Sequence, residues 1–242
     1  MIYGITYCEE NMTISGELCK SSMEKNGFDN VRLYRRHEIN GWFDMFNYKT
    51  LSAKRGAGYY LWKPYFINEA IGNCQDGDYL IYSDAGCEWI ESPTHIVNVM
   101  TQDIFLFCNG HRHVEWSKSD VNRAICGDVS FDQMQVQASI VFFRVNEYTR
   151  NFVKEWLLFG QMPGFIDDSP SKIPNVPTFA ENRYDQAILT ALAIRDGIEM
   201  HWWADHLWFE TQRYRWPNDK YPALVKHHRK RNPNSNTGDV EW

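Results

Sequence analysis

The apolar positions of the chain fall into two alternating kinds of segment. Short, continuous apolar runs predict buried strands, and apolar residues three and four apart before a glycine predict helices. The predicted strands are residues 2–8, 31–36, 79–82, 103–108 and 136–144. The predicted helices run from about residue 14 to a stop at Gly27, and over residues 59–71, 121–125, 147–159 and 183–195. This alternation predicts an α/β fold with a mostly parallel central sheet flanked by helices.

The composition narrows the class of protein. A chain of 242 residues, 43% of them hydrophobic, can build one sizeable core, so we expect a single domain. We find no run of about 18 apolar residues and no secretory signal, and we expect a cytoplasmic protein without a transmembrane segment. Six cysteines without a CxxC pair argue against a zinc site or disulfides, and a net charge of −6 argues against a nucleic-acid-binding protein.

The first candidate site lies where the apolar run 79–82 ends, in the turn Ser83-Asp84-Ala85-Gly86. In open α/β sheets ligands bind at the carboxyl ends of the strands. A carboxylate on a turn of small residues at this edge can approach a phosphate or a ribose. An ordinary turn aspartate is the alternative interpretation of Asp84.

Two neighbouring motifs carry a family resemblance. The segment Arg55-Gly-Ala-Gly-Tyr-Tyr-Leu-Trp-Lys-Pro-Tyr, followed by Asp-Gly-Asp-Tyr-Leu-Ile-Tyr-Ser-Asp84-Ala-Gly-Cys, resembles the donor-binding half of GT-A glycosyltransferases from bacterial polysaccharide clusters and large DNA viruses. Later segments at 116–120, 137–144, 183–186 and 227–229 are similar in kind and order. The resemblance implies one Rossmann-like GT-A domain, with a nucleotide-binding half at about 1–90, an acceptor-side half at about 100–225 and a basic, polar tail at 226–242.

The resemblance also implies a donor site around Asp84, which corresponds to the first acid of the family's DXD motif. In that role it reaches the ribose and the metal-bound diphosphate of a nucleotide sugar, together with the other residues of its turn, Ser83, Ala85 and Gly86. Thr6 and Tyr7, at the end of the first predicted strand, stand where the family holds the base and ribose. A tyrosine is also a common strand residue, which is the alternative for Tyr7.

The metal that the family uses is in doubt for this chain. Gly86 stands in place of the second acid of DXD, although Mn²⁺ and Mg²⁺ prefer oxygen ligands. Glu88 is a possible substitute. The resemblance implies His228 as a further metal ligand beside Asp84.

Weak metal binding would leave the charge of the diphosphate leaving group to cations of the protein. The candidates are Arg55, Lys63 and the tail residues His227, His228 and Arg229. The alternatives are a surface lysine with a buried stem at position 63 and a solvated basic run in the tail.

Two acids are candidates for the base that deprotonates the acceptor. Asp185 opens the predicted helix 183–195, where a helix-dipole partner is the alternative role, and Asp205 follows a tryptophan-rich segment. Trp202 and Trp203 offer flat rings on which an acceptor sugar can stack, and Gln137 is a third candidate for acceptor binding.

The resemblance, carried to these residues, implies transfer of a sugar from a nucleoside diphosphate sugar, a UDP-sugar foremost, to a hydroxyl of a saccharide. A rival from another class is a carbohydrate- or nucleotide-binding protein that keeps the fold without turnover. A second rival is a metal-dependent phosphohydrolase that uses Asp78, Asp84 and Glu88.

Overall fold

The computed structural model describes residues 1–205 and 221–228. Its central element is a six-stranded sheet in the order β2-β1-β3-β6-β5-β7. Only β6 runs antiparallel to its neighbours, so the mostly parallel sheet is confirmed. A second, two-stranded sheet pairs β4 with β8. The strands are β1 (Ile2–Tyr7), β2 (Asn30–Tyr34), β3 (Tyr79–Ser83), β4 (Cys87–Trp89), β5 (Ile104–Arg112), β6 (Met134–Arg144), β7 (Met200–Trp202) and β8 (Val225–His227).

Helices cover both faces of the large sheet. They are α1 (Thr13–Lys25), α2 (Gly41–Phe46), α3 (Tyr48–Leu51), α4 (Gly56–Tyr59), α5 (Trp62–Gly72), α6 (Thr94–Val97), α7 (Ser119–Cys126), α8 (Glu147–Gln161) and α9 (Tyr184–Arg195). Short 3-10 helices occur at Glu10–Met12, Arg36–Glu38 and His113–Glu115.

Alternate residues of each strand enter two hydrophobic cores. On β3, Leu80 and Tyr82 face the core beneath α5, α7, α8 and α9, while Ile81 faces the core beneath α1 and the β4–β8 pair. All three side chains are almost fully buried. Because both faces are covered, the strand appears in the sequence as one unbroken apolar run.

The α5 region departs most clearly from the predicted elements. We predicted a helix from residue 59, but α5 begins at Trp62, because five successive residues before it have positive φ angles between 49° and 101°. These residues, 56–60, form a left-handed turn. Glycine adopts this conformation freely, whereas Ala57, Tyr59 and Tyr60 each cost roughly 1–2 kcal/mol there.

Packing holds this left-handed turn in place. A Cβ on Gly58 would lie 2.7 Å from the Cα of Leu51, and a Cβ on Gly56 would lie 2.3 Å from the ring of Tyr60. The indole of Trp62 donates a hydrogen bond to the Gly56 carbonyl at 3.0 Å. A turn that is strained and also tightly enclosed is typical of a functional region.

The proline-rich segment between α8 and α9 contains no helix or strand longer than a turn. Lys118 anchors it from α7's N-terminal side, donating to the Gly164 carbonyl at 2.6 Å and lying 3.4 Å from Asp167. In the described parts of the chain, no helix has the length and apolar character needed to cross a membrane.

Candidate functional site

A lysine and two aspartates meet at the carboxyl edge of the sheet. The ammonium of Lys63 lies 3.2 Å from Oδ1 of Asp84 and 3.1 Å from Oδ2 of Asp185. It also donates a hydrogen bond to the Ala138 carbonyl at 3.1 Å. We call Asp84, Lys63 and Asp185 the carboxylate–lysine cluster; residues more than 120 positions apart in sequence meet there.

Three elements position the cluster. Asp84 follows the end of β3, where its backbone N–H donates to the Ser139 carbonyl of β6 at 2.7 Å. Lys63 lies in the first turn of α5, and Asp185 in the first turn of α9. Strand ends and helix starts thus converge in one crevice, as expected for an α/β sheet.

Burial decides how the cluster ionises. Burial raises the pKa of Asp185 to about 6, although the Lys63 ammonium lowers it and Asp84 adds repulsion. Burial alone would lower the pKa of Lys63, but the carboxylates of Asp185 and Asp84 outweigh that cost and raise it. The ionised cluster carries a net charge of −1, with one lysine shared by two carboxylates.

Lys63 is 3% exposed, which rules out the surface-lysine alternative. Asp185 is also 3% exposed, whereas the Asp84 side chain keeps 30% of its surface accessible. Asp84 is therefore the member of the cluster that faces solvent, and a ligand would meet it first.

Two tyrosines complete the walls of the cluster, and our sequence analysis assigned neither a role. The hydroxyl of Tyr82 donates to Oδ1 of Asp84, so that oxygen is held by both Tyr82 and Lys63. The ring centroid of Tyr60 lies 5.6 Å from the Lys63 ammonium. Burial raises the pKa of Tyr60 most, and the negative charge of Asp185 raises it further. Side chains alternate along a strand, so residues 82 and 84 lie on the same side of β3. This alternation is the sequence feature that could have identified Tyr82 as a neighbour of Asp84.

Arg55 lies at the rim of the site, where it pairs with Glu181 at 3.1 Å. Arg183 pairs with the same glutamate at 3.1 Å, so Glu181 links the left-handed turn to the start of α9. The ring of Tyr184 lies 5.4 Å from the Arg55 guanidinium, and Tyr184 itself has a positive φ of 52° immediately before Asp185. Strained backbone therefore flanks the cluster on two sides.

The start of the basic tail packs against the Asp84 turn. β8 pairs with β4, and the His228 N–H donates to the Gly86 carbonyl at 2.9 Å. The N–H of His227 donates to Oδ2 of Asp205 at 2.8 Å, and Asp205 is 2% exposed. The structure thus brings His227, His228 and Asp205 to the predicted donor site. Arg229 lies outside the described residues.

Several candidate residues occupy different positions from those we predicted. The Tyr7 ring is buried against Trp62, with centroids 4.0 Å apart, so it forms part of the core and offers no face to a base. Thr6 and Ser83 are also buried, and Ser83 accepts a hydrogen bond from the Trp89 indole at 3.1 Å. Ala85 and Gly86 are buried as well. Of the predicted donor turn, Asp84 alone presents a partly exposed side chain.

The predicted acceptor rings are also core residues. Trp203 packs edge-on against Phe107, with centroids 5.3 Å apart, and Trp202 in β7 is 4% exposed. Both indoles are buried although the two residues are neighbours in the chain, so neither offers an open ring face on which a sugar could stack. Gln137 is half-buried, and its amide donates to the Ser139 hydroxyl at 2.8 Å beside the Asp84 turn.

The metal site that the resemblance implies does not assemble among the described residues. Within residues 1–205 and 221–228, no three His, Cys, Asp or Glu side chains lie together as a ligand set. Gly86 supplies no side chain, and Lys63 and Tyr82 already occupy Oδ1 of Asp84. These residues do not fit a divalent ion as they are arranged.

The phosphohydrolase interpretation is wrong, because its three acids do not meet. Asp78 precedes β3 and holds the N-terminal amine at 2.8 Å, whereas Asp84 follows the strand. At about 3.3 Å per residue, the two lie roughly 20 Å apart. Glu88 sits in β4 opposite Lys226.

Comparisons with known proteins bear on the fold. No protein-family model matches the chain, and no curated protein matches its sequence. The structure is similar to that of galactosyltransferase LgtC in complex with donor and acceptor sugar analogs, with 12% identity, a TM-score of 0.54 and coverage of 94% of this chain and 87% of that one. An active-site mutant of LgtC gives 11% identity, a TM-score of 0.53 and the same coverage. The GT-A-type fold that the sequence predicted is therefore confirmed.

Proposed function

We propose that this protein transfers a sugar from a nucleoside diphosphate sugar, a UDP-sugar foremost, to a hydroxyl group of a saccharide. The observation that carries the proposal is the carboxylate–lysine cluster at the carboxyl edge of a GT-A-type sheet. The similar LgtC structure holds donor and acceptor sugar analogs, which supports the same class of reaction.

In the proposed donor site, Asp84 binds the ribose or a sugar hydroxyl with its accessible carboxylate oxygen. Tyr82 and Lys63 fix the other oxygen, so the carboxylate is oriented before the donor arrives. Besides Lys63, the basic side chains placed around this edge are Arg55 at the rim and His227 and His228 beside the Asp84 turn. They are the groups of this chain that would stabilise the diphosphate as it leaves.

Asp185 is the proposed base. In the transfer, the acceptor oxygen forms a bond to the anomeric carbon, and the bond from that carbon to the β-phosphate oxygen breaks. The acceptor proton passes to Asp185, and the nucleoside diphosphate leaves with the electron pair. A carboxylate with a pKa of about 6 is mostly ionised at pH 7 and is a stronger base than an ordinary aspartate.

The first test is a screen of nucleoside diphosphate sugars for slow hydrolysis and for transfer to saccharides. We expect release of intact nucleoside diphosphate from at least one UDP-sugar, and a loss of about 100-fold or more in Asp84→Asn. Asp128→Asn, which changes a fully exposed aspartate, is the matched control and should retain full activity. Binding of a nucleotide sugar without any turnover would favour the non-catalytic rival, and no binding at all would refute the proposal.

A second test separates the two acids. Asp185→Asn should lower turnover by about 100-fold or more with little change in donor affinity, because a base acts in the transition state. Asp205→Ala should chiefly weaken donor binding, because it removes the oxygen that accepts the His227 N–H and holds that backbone against the site. If Asp185→Asn instead raises the donor Michaelis constant and spares turnover, Asp185 orients the sugar and is not the base.

A further inference from the structure

Four large apolar side chains lie exposed within seven residues of the chain. Trp42 is 70% exposed, Met45 55%, Phe46 79% and Tyr48 66%. We call these four residues the aromatic patch. Trp42 and Phe46 lie one helical turn apart on α2, with ring centroids 6.4 Å apart. The two rings of α2 therefore lie side by side, and Met45 and Tyr48 are exposed next to Phe46 in the chain.

Elsewhere in the described ranges, exposed apolar residues occur mostly as separate positions. Among the large apolar side chains there, only Met1, Trp42, Phe46 and Tyr48 exceed 60% exposure, and three of these four belong to the patch. Single exposed apolar residues are normal, but a contiguous group marks a contact surface.

The fold turns this patch outward. The α2 helix has only six residues and none of them is buried; Phe43 alone points inward, where it packs against Tyr65 with centroids 4.4 Å apart. The side chain of Asn40 caps the helix start by accepting from the Trp42 N–H at 2.9 Å. Folding therefore gains little from the outward rings, and no residue in the described ranges 1–205 and 221–228 buries them.

The chain segment that carries the patch is basic, although the whole chain carries −6. Between Glu38 and Glu69 the only acidic residue is Asp44, and the guanidinium of Arg36 already neutralises it. Lys49 and Lys54 are exposed, and neither forms an ion pair with any residue that the structure describes. A partner with a negative surface is therefore electrostatically favoured.

The size of the patch argues against a stable protein partner. Aromatic side chains present about 150–250 Å² each, so four partly exposed residues offer roughly 500 Å². A standard protein interface buries about 800 Å² on each partner. Rings of Trp, Tyr and Phe beside lysines are, in contrast, the composition that enters the headgroup layer of a lipid bilayer.

The geometry points to a peripheral membrane contact: we propose that the aromatic patch and Lys49 and Lys54 bind the surface of a membrane that contains anionic lipids. The chain reaches the patch from the carboxyl end of β2 and continues into the left-handed turn and Lys63. A membrane bound there adjoins the edge of the sheet that carries Asp84. This inference does not depend on the proposed function.

Sedimentation of the full chain with lipid vesicles tests the proposal. One set of vesicles is phosphatidylcholine alone, and the other is phosphatidylcholine mixed with phosphatidylglycerol. We expect binding to the mixed vesicles, weaker binding at high salt, and little binding to phosphatidylcholine alone. Absence of binding to the mixed vesicles would overturn the proposal.

Paired variants separate the contributions of rings and charges. Trp42→Ser/Phe46→Ser should weaken vesicle binding by about tenfold or more. Lys49→Gln/Lys54→Gln should weaken it by about fivefold for each lysine. The control Leu158→Ser/Ile173→Ser changes side chains that are 53% and 39% exposed elsewhere, and it should bind as the wild type does. Equal loss in the control would overturn the assignment to the patch.

A second copy of the chain is the competing occupant, and analytical ultracentrifugation detects it. A dimer that Trp42→Ser/Phe46→Ser dissociates, together with no vesicle binding, would assign the patch to self-association and overturn the membrane proposal. Circular dichroism of each variant confirms that the fold is retained. The substituted side chains are exposed, so we expect unchanged spectra.

Discussion

Replacing Lys63 by methionine tests the electrostatics of the carboxylate–lysine cluster directly. The substitution removes the ammonium but keeps an unbranched side chain of similar length. Asp185 would then lose the cation at 3.1 Å, while Asp84 and the low exposure of the site remain. Removing one partner of a buried ion pair costs about 3–5 kcal/mol of stability.

The size of that cost should depend on pH. In the wild type the pKa of Asp185 is about 6, and Lys63 is the main influence that lowers it, so the variant's pKa should lie above 6. An acid whose folded pKa exceeds the unfolded value destabilises the fold as pH rises between the two values. In the wild type this loss of stability is complete near pH 6. In Lys63→Met the free energy of unfolding should continue to fall above pH 6, by about 1.4 kcal/mol per pH unit.

Urea unfolding at pH 6 and pH 8 measures the difference. The free energy of unfolding of Lys63→Met should be lower than that of the wild type at pH 6, and this difference should grow by up to about 3 kcal/mol at pH 8. The double variant Lys63→Met/Asp185→Asn removes the titrating acid, so its deficit should be smaller and nearly independent of pH. A single-variant deficit that is the same at both pH values would show that Asp185 does not depend on the Lys63 charge.

Three further predictions concern other parts of the structure. His113 is fully buried with its Nε2 2.8 Å from the Asn122 amide oxygen, and burial lowers its pKa to about 4. His113 should therefore lower the free energy of unfolding by about 3 kcal/mol as the pH falls from 6.5 to 4. In urea titrations, the free energy of unfolding of His113→Gln should depend less on pH than that of the wild type, and an equal dependence would contradict this. Gly58→Ala places a Cβ against Leu51 at a φ of 101° and should lower the melting temperature by several degrees. The control Gly41→Ala has open space around it and should leave the melting temperature unchanged. Equal effects of the two substitutions would refute the strain argument. Tyr82→Phe removes the hydroxyl that donates to Asp84, so it should raise the donor Michaelis constant by about tenfold and lower the melting temperature by a few degrees. Unaltered donor kinetics would show that Tyr82 does not position Asp84.

The chain's local patterns determined the order of the main strands and helices and the placement of Asp84 at the carboxyl edge of the sheet. The β3 run is continuously apolar because both faces of that strand are covered, and the polar turn that follows it can only mark the strand's end. The placement of Asp84 was therefore readable from neighbouring residues alone. Asp185 was found from its place at the start of a predicted helix, and the structure begins α9 at Tyr184, one residue before it.

Residues whose role depends on a distant partner could not be assigned from the sequence. Lys63 has the pattern of a surface lysine, and only the tertiary structure brings its ammonium to the Ala138 carbonyl and between the carboxylates of Asp84 and Asp185. Trp202 and Trp203 have the composition of a sugar platform, but contacts with other segments bury both indoles. Sequence determines which side chains alternate along a strand, whereas the tertiary structure decides what each face meets, because burial and charge pairing arise from contacts between segments far apart in the chain.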